Sequence, residues 1–190
     1  PADVDFRLRL ESDKTRFQLG EIISVELLYA VTSPEKYSLN RRPPSSSEFM
    51  VEPVEGTRDP RRGLPVSVGM AGIDWMAALG PKAETVRRDL NEWVRFDGPG
   101  RYRITALSRR VWPKSSPAPL ELKSNTVEVE ILPADPAWQA AALKQAITVL
   151  ETVLPGGTSE AMQQRRAAAR TIRFLDTPAA VRQCVRWFRA

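Results

Sequence analysis

A Gly-Pro-Gly corner followed by a strictly alternating run constrains this chain more than any other stretch. After Gly98-Pro99-Gly100, Tyr102, Ile104 and Ala106 fall on one face of an extended chain, and Arg101, Arg103 and Thr105 on the other. A period of two marks a half-buried β-strand. Pro99 has a fixed φ and no N–H for a ladder, and the flanking glycines can take positive φ, so the turn belongs at the corner. Asp89 to Phe96 then reads as the first arm of a hairpin that closes there. The same period recurs elsewhere. Phe6, Leu8 and Leu10 alternate with Arg7 and Arg9, and Phe17 and Leu19 keep phase in an extended run from Lys14 that Gly20 breaks. Ile23, Val25, Leu27, Tyr29 and Val31 make the longest run, a central strand. Phe49 and Val51 give a short strand, and Val127, Val129 and Ile131 alternate with Glu128 and Glu130 in the last one. About seven strands joined by turn-rich segments predict an antiparallel β-sandwich with Greek-key connections over residues 1–133.

Three stretches of that region lack a period. Residues 38–48 read as loop, with Arg41-Arg42-Pro43-Pro44 followed by three serines. Residues 53–85 read as a long insertion, rich in Pro and Gly yet apolar in its middle. A structureless loop of that length is unusual in a compact domain, so Ile73 to Leu79 is expected to form a helical turn folded back on the sheets. Trp112 to Pro119 is expected to be an exposed loop.

The pattern changes class at residue 134. Asp135 is a good N-cap and Pro136 a good first helical residue. Leu143, Ile147, Leu150 and Leu154 recur at helical spacing until Pro155-Gly156-Gly157. Thr158 or Ser159 can cap a second helix with Ala168, Ile172 and Leu175 on one stripe. Asp176-Thr177-Pro178 repeats the cap-then-proline signal. A third helix shows Val181, Cys184, Val185 and Phe188 at i, i+3, i+4 and i+7, read as one apolar face.

Two resemblances add to this reading. Tyr102, just past a glycine corner at the head of a strand, resembles the tyrosine corner of immunoglobulin-like sandwiches, where the phenol bonds back to upstream backbone. The paired cysteines of antibody domains are absent. The run Gln163 to Leu175, the Leu-Asp-Thr-Pro turn, and Thr177 to Phe188 resemble one unit of a HEAT-type helical repeat. The whole chain resembles exported bacterial proteins of uncharacterised activity that carry an immunoglobulin-like sandwich ahead of such repeats. Gly20-Glu21, Leu90 to Tyr102, Ser124-Asn125 and Asp135-Pro136-Ala137-Trp138 carry that likeness. It implies an immunoglobulin-like sandwich over 1–133, a helical segment over 134–190 and a periplasmic or extracellular location, and it implies no chemistry. A repeat array needs about three units to bury its faces, and one is present. The start at Pro1-Ala2 rather than Met fits a processed or trimmed piece of a longer protein.

Composition excludes several chemistries. Histidine is absent and cysteine occurs once, at Cys184. The commonest general base and metal ligand are therefore missing, and neither an intrachain disulfide nor a cysteine-built zinc site can form. No metal or cofactor is expected. No apolar run approaches the ~20 residues that span a bilayer. Ser33-Pro34-Glu35-Lys36 fits a serine–lysine spacing but lies in a loop rather than at a helix start. Gly98-Pro99-Gly100 lacks the rest of a phosphate-binding fingerprint. Gly156-Gly157-Thr158-Ser159 opens a helix, where an anion is favoured, yet a plain cap explains it. Cys184 reads as a small buried apolar side chain.

The charge is unevenly placed. From Thr158 onward there are seven Arg, no Lys and two acids, while the rest of the chain balances 21 basic against 21 acidic side chains. Arg166, Arg170 and Arg173 form a stripe opposite the apolar face of the second helix. Arg182, Arg186 and Arg189 form another on the third. Met70, Trp75 and Met76 form an apolar cluster on the insertion suited to protein contact. Solvated helix faces and a lid over the sandwich edge explain the same residues. The expectation is a non-catalytic protein-interaction or scaffold module of a larger exported protein, with no enzyme activity. A polyanion binder using the arginine stripes is the alternative, and a hydrolase of unknown class the third. A nucleic-acid stacking surface wants aromatics among the charges; Trp187 is there, but Phe188 belongs to the apolar face, and an exported location also argues against nucleic acid.

Overall fold

A computed structural model of the chain describes residues 2–41, 49–62, 76–153 and 158–188. It is mainly β, an antiparallel sandwich followed by three helices among the described residues. One sheet joins β1 (Val4–Leu10), β3 (Ser24–Val31) and β8 (Glu84–Asp89) in that order. The other joins β2 (Arg16–Gln18), β12 (Leu122–Leu132), β10 (Gly100–Ser108) and β5 (Phe49–Glu52), antiparallel apart from the parallel β2–β12 pair. A smaller sheet orders β11 (Val111–Pro113), β4 (Tyr37–Asn40) and β7 (Met76–Ala78), and β6 (Thr57–Arg58) pairs with β9 (Arg95–Phe96).

The alternating runs put their apolar sides inward. Leu8, Val25, Leu27 and Tyr29 of the first sheet meet Tyr102, Ile104, Val129 and Ile131 of the second in one buried core. Tyr29 is wholly buried, stacks on Phe6 at 4.8 Å, and shares a 2.9 Å hydrogen bond with the Ser108 hydroxyl. On the outer side of β3, Glu26 is itself buried beneath Arg9 and Arg87. The hydrogen bond from Arg9 holds its carboxyl below the usual glutamate range; burial opposes this and Arg87 assists.

One side chain pins the corner before β10, and another joins the two sheets. The Tyr102 hydroxyl donates to the Gly98 carbonyl at 3.2 Å, forming the tyrosine corner. Asn125 on β12 accepts from the Leu8 N–H at 2.9 Å and donates to the Leu8 carbonyl at 3.0 Å, on the side of β1 turned away from β3.

The hairpin expected over 89–107 does not form. Asp89 ends β8, Leu90–Glu92 make a 3₁₀ turn, and β9 pairs with β6, while β10 pairs with β12 and β5. The reason lies in the spacing of Leu90, Trp93 and Val94 at i, i+3 and i+4. All three are buried, which a turn of helix allows and a strand does not. The expected loops over 38–48 and 112–119 begin as β4 and β11, which pair with each other. In place of a helical turn ending at Leu79, Met76–Ala78 is a strand; Ile73 to Trp75 lie outside the described residues.

The helices follow their caps. α1 (Pro136–Thr152) starts where the Asp135 carboxylate accepts from the N–H groups of Ala137 and Trp138. α2 (Ser159–Leu175) is capped by Thr158, and α3 (Pro178–Phe188) starts with Thr177 accepting from Ala180. Ala146, Leu150, Ala168, Ile172, Leu175 and Ala180 form their shared core. α3 differs from expectation. Ala180, Cys184 and Trp187, at i, i+4 and i+7, turn toward that core, while Val181 and Val185 are 53% and 44% exposed. The helix carries two adjacent apolar stripes, and the one with the smaller residues at its start packs. The Phe188 side chain lies outside the described residues.

Candidate functional site

The junction between sandwich and helices holds the densest polar chemistry. α2 ends at Asp176, whose φ of +51 turns the chain into α3. Arg58 reaches both Asp97, at 2.8 Å, and Asp176. Arg95 donates to the carbonyls of Arg173 and Phe174, each at 3.2 Å, and its guanidinium lies 4.6 Å from the centre of the Phe174 ring. A cation there satisfies the unpaired carbonyls of a helix end and its negative dipole. Burial pulls the pKa of Arg95 below its ordinary value, with Asp176 opposing. Gly20, at φ +91, lies against the same turn: an added Cβ would sit 3.1 Å from both the Cα and the carbonyl oxygen of Leu175.

The first arginine stripe is part of this clasp. Arg170 pairs with Asp89 at 2.6 Å and Arg173 with Glu92 at 2.9 Å. Arg166 is exposed and, with Arg87, Arg88 and Arg170, lines a cleft of about 900 Å³ between β8 and α2 that also contains Glu11 and Asp89. On α3, Arg186 lies 3.6 Å from Glu151 of α1 and Arg182 is exposed. Arg189, Met70 and Trp75 lie outside the described residues. Met76 is 42% exposed on β7.

A cavity of about 200 Å³ occupies the junction itself, with Gln18, Glu21, Asn91, Arg95, Asp97 and Phe174 among its walls. Much of its polar lining already has structural work. Glu21 accepts from the Gln18 N–H at 2.9 Å and pairs with Lys14. Asn91 accepts from the Ile23 N–H at 2.8 Å and donates to the Glu21 carbonyl at 2.9 Å. Glu21 and Asn91, like Gly20, Asn125 and Asp135, are among the residues on which the resemblance to exported sandwich proteins rests. They are latches of the scaffold.

The remaining motifs fall as follows. Ser33 precedes a 3₁₀ turn over Pro34–Lys36, and its carbonyl accepts from the Lys36 N–H. Gly156 and Gly157 lie outside the described residues. Among the described residues no group of three His, Cys, Asp or Glu could hold a metal ion, and no helix is long and apolar enough to cross a membrane. Cys184 is half-buried, and burial raises its thiol pKa.

A surface of different character lies on the helices. A groove of about 530 Å³ runs along α1 to the start of α3, with Ala140, Leu143, Ile147 and Ala179 in it.

No protein-family model matches the chain, and no curated protein matches it. Among solved structures it is similar to a beta-glucosidase from Listeria innocua in complex with gluconolactone, at 17% identity and a TM-score of 0.32. The similarity covers 69% of this chain and 16% of that one. At that score it carries no argument about fold or activity.

Proposed function

We propose that this chain is a non-catalytic protein-interaction module, a stiff scaffold segment of a larger exported bacterial protein. One observation carries the reading. The helices are clasped to the sandwich through Gly20, Arg58, Arg95, Arg170 and Arg173, yet they leave apolar side chains uncovered, with Val181 53% and Val185 44% exposed. Exposed apolar residues one turn apart on a fixed helix suit a partner's contact. The helix–short turn–helix form of α2 and α3 supports the HEAT-type reading of that segment.

The test is affinity capture from envelope extract with the 190-residue chain and its Val181→Asp/Val185→Asp variant. A partner held by the parent and lost by the variant is expected. Capture of the same proteins by both, or of none by either, overturns the reading.

Binding of a polyanion is a second reading, favoured by the exposed Arg166 beside Arg87 and Arg88. Arg87, Arg170 and Arg173 already face acids, which lowers the charge free for a ligand. Steep loss of binding with added salt would distinguish it.

A further inference from the structure

We infer that the junction is an electrostatic hinge: ion pairs at the C-terminal end of α2 hold the helices at a fixed angle to the sandwich, and screening those pairs lets the helices swing about residues 133–135. The inference goes beyond the interaction reading and stands whether or not a partner binds.

The two bodies are cored separately. The sandwich core gathers buried residues from Phe6 to Ile131 and the helical core those from Ala146 to Ala180, and among the described residues no side chain belongs to both. Phe174, buried at the junction, belongs to neither. The guanidiniums of Arg95 and Arg173 lie 4.6 Å and 5.4 Å from its ring centre, and the cavity of about 200 Å³ lies against it. Apolar packing that would fix the angle without charge is interrupted where the two bodies meet. A polar interface of this kind is one across which domains move.

The charged contacts are gathered at one end of α2. Arg170 meets Asp89 and Arg173 meets Glu92, while Asp176, just past the helix, meets Arg58. Each of these arginines is about half-exposed, so water and salt reach the pairs. Raising the ionic strength from about 0.15 M to about 1 M shortens the Debye length from about 8 Å to about 3 Å and weakens all three together. Arg95 is then left to hold the helix end through its two bonds of 3.2 Å.

The pivot is short. β12 ends at Leu132 and α1 begins at Pro136, and the residues between them are exposed. α1 itself touches the sandwich lightly, the Gln139 amide donating to the Leu19 carbonyl at 3.4 Å. The first half of α2 stands across the cleft of about 900 Å³ from β8, with Gln164 in one wall and Glu11 in the other. Gln164 is about 18 Å along α2 from Asp176, so a swing of about 30° would widen the cleft by about 9 Å.

Spin labels on Ser12→Cys and Gln164→Cys, in the 190-residue chain carrying Cys184→Ala, read that width by pulsed electron paramagnetic resonance; both labelled sites are exposed. One distance is expected at about 0.05 M NaCl, and at about 1 M a second one, longer by about 9 Å or more, with the helix-band ellipticity unchanged. Arg170→Gln/Arg173→Gln should populate the longer distance already at low salt. If that variant unfolds, Arg173→Gln alone serves, since its partner Glu92 is 33% exposed and Asp89 keeps Arg170. A distance unchanged by salt, a folded variant that stays closed, or a lengthening that comes only with loss of ellipticity overturns the inference.

Discussion

Replacing Gly20 with alanine tests whether the sandwich holds the helices in place. Gly20 sits at φ +91, and its new methyl would lie 3.1 Å from the Leu175 Cα and carbonyl oxygen and 3.2 Å from the Phe174 oxygen. A residue with a side chain held in so sparse a region costs about 1–3 kcal/mol. The contacting atoms belong to the backbone of α2, so relief means moving the helix end rather than turning a rotamer. That movement stretches the bonds from Arg95 to the Arg173 and Phe174 carbonyls, each contributing about 0.5–1.5 kcal/mol or more for a charged donor. A total loss of about 2–4 kcal/mol is expected. Urea unfolding of the 190-residue chain, followed by tryptophan fluorescence and by ellipticity at the helix band, reads it directly. Gly20→Asn separates the two causes, since Asn tolerates positive φ but still carries Cβ. Recovery with Asn assigns the loss to backbone strain; none assigns it to the contact with α2. An alanine variant within about 0.5 kcal/mol of the parent refutes the argument, because neither cost would then operate.

Tyr102→Phe should lose about 0.5–1.5 kcal/mol in the same urea assay, the worth of its bond to the Gly98 carbonyl; an unchanged midpoint would remove the tyrosine corner. Glu26 titrates below its unfolded value, so its contribution is present above about pH 4.3 and lost as pH falls through the lower folded value. Glu26→Gln should therefore show a shallower loss of stability on acidification, and an acid limb identical to the parent's would contradict this. A double-mutant cycle on Arg170 and Asp89 should return a coupling of about 1 kcal/mol that shrinks with salt, since the arginine is half-exposed although Asp89 is nearly buried; zero coupling at low salt would detach Arg170 from the clasp.

The sandwich and its caps were legible because their signals are local. Val25, Leu27 and Tyr29 alternate over enough residues to fix a face, and Asp135-Pro136 marks a helix start within two positions. β4 and β7 span four and three residues, too few to display a period. Leu90, Trp93 and Val94 held a helical spacing that the alternation beyond Gly100 overshadowed. The candidate site was harder for a different reason. A helical wheel says that Arg166, Arg170 and Arg173 share a face, but not what stands opposite, and Asp89 and Glu92 come from 81 residues away. Gly20 is an ordinary loop glycine until Leu175 arrives against it. In α3 both apolar stripes satisfy the same periodicity, so only packing could tell which is covered.

Asn125 has a consequence beyond stability. Its amide occupies the N–H and C=O of Leu8, the groups from which a foreign strand would begin to pair along β1. Together with β12, which runs beside β1, this side chain helps close an edge that could otherwise template another chain. Asn125→Val would keep a residue suited to β-structure while leaving those groups open beside Phe6 and Leu10. Turbidity that grows with protein concentration should accompany the drop in melting temperature that losing two part-buried hydrogen bonds brings.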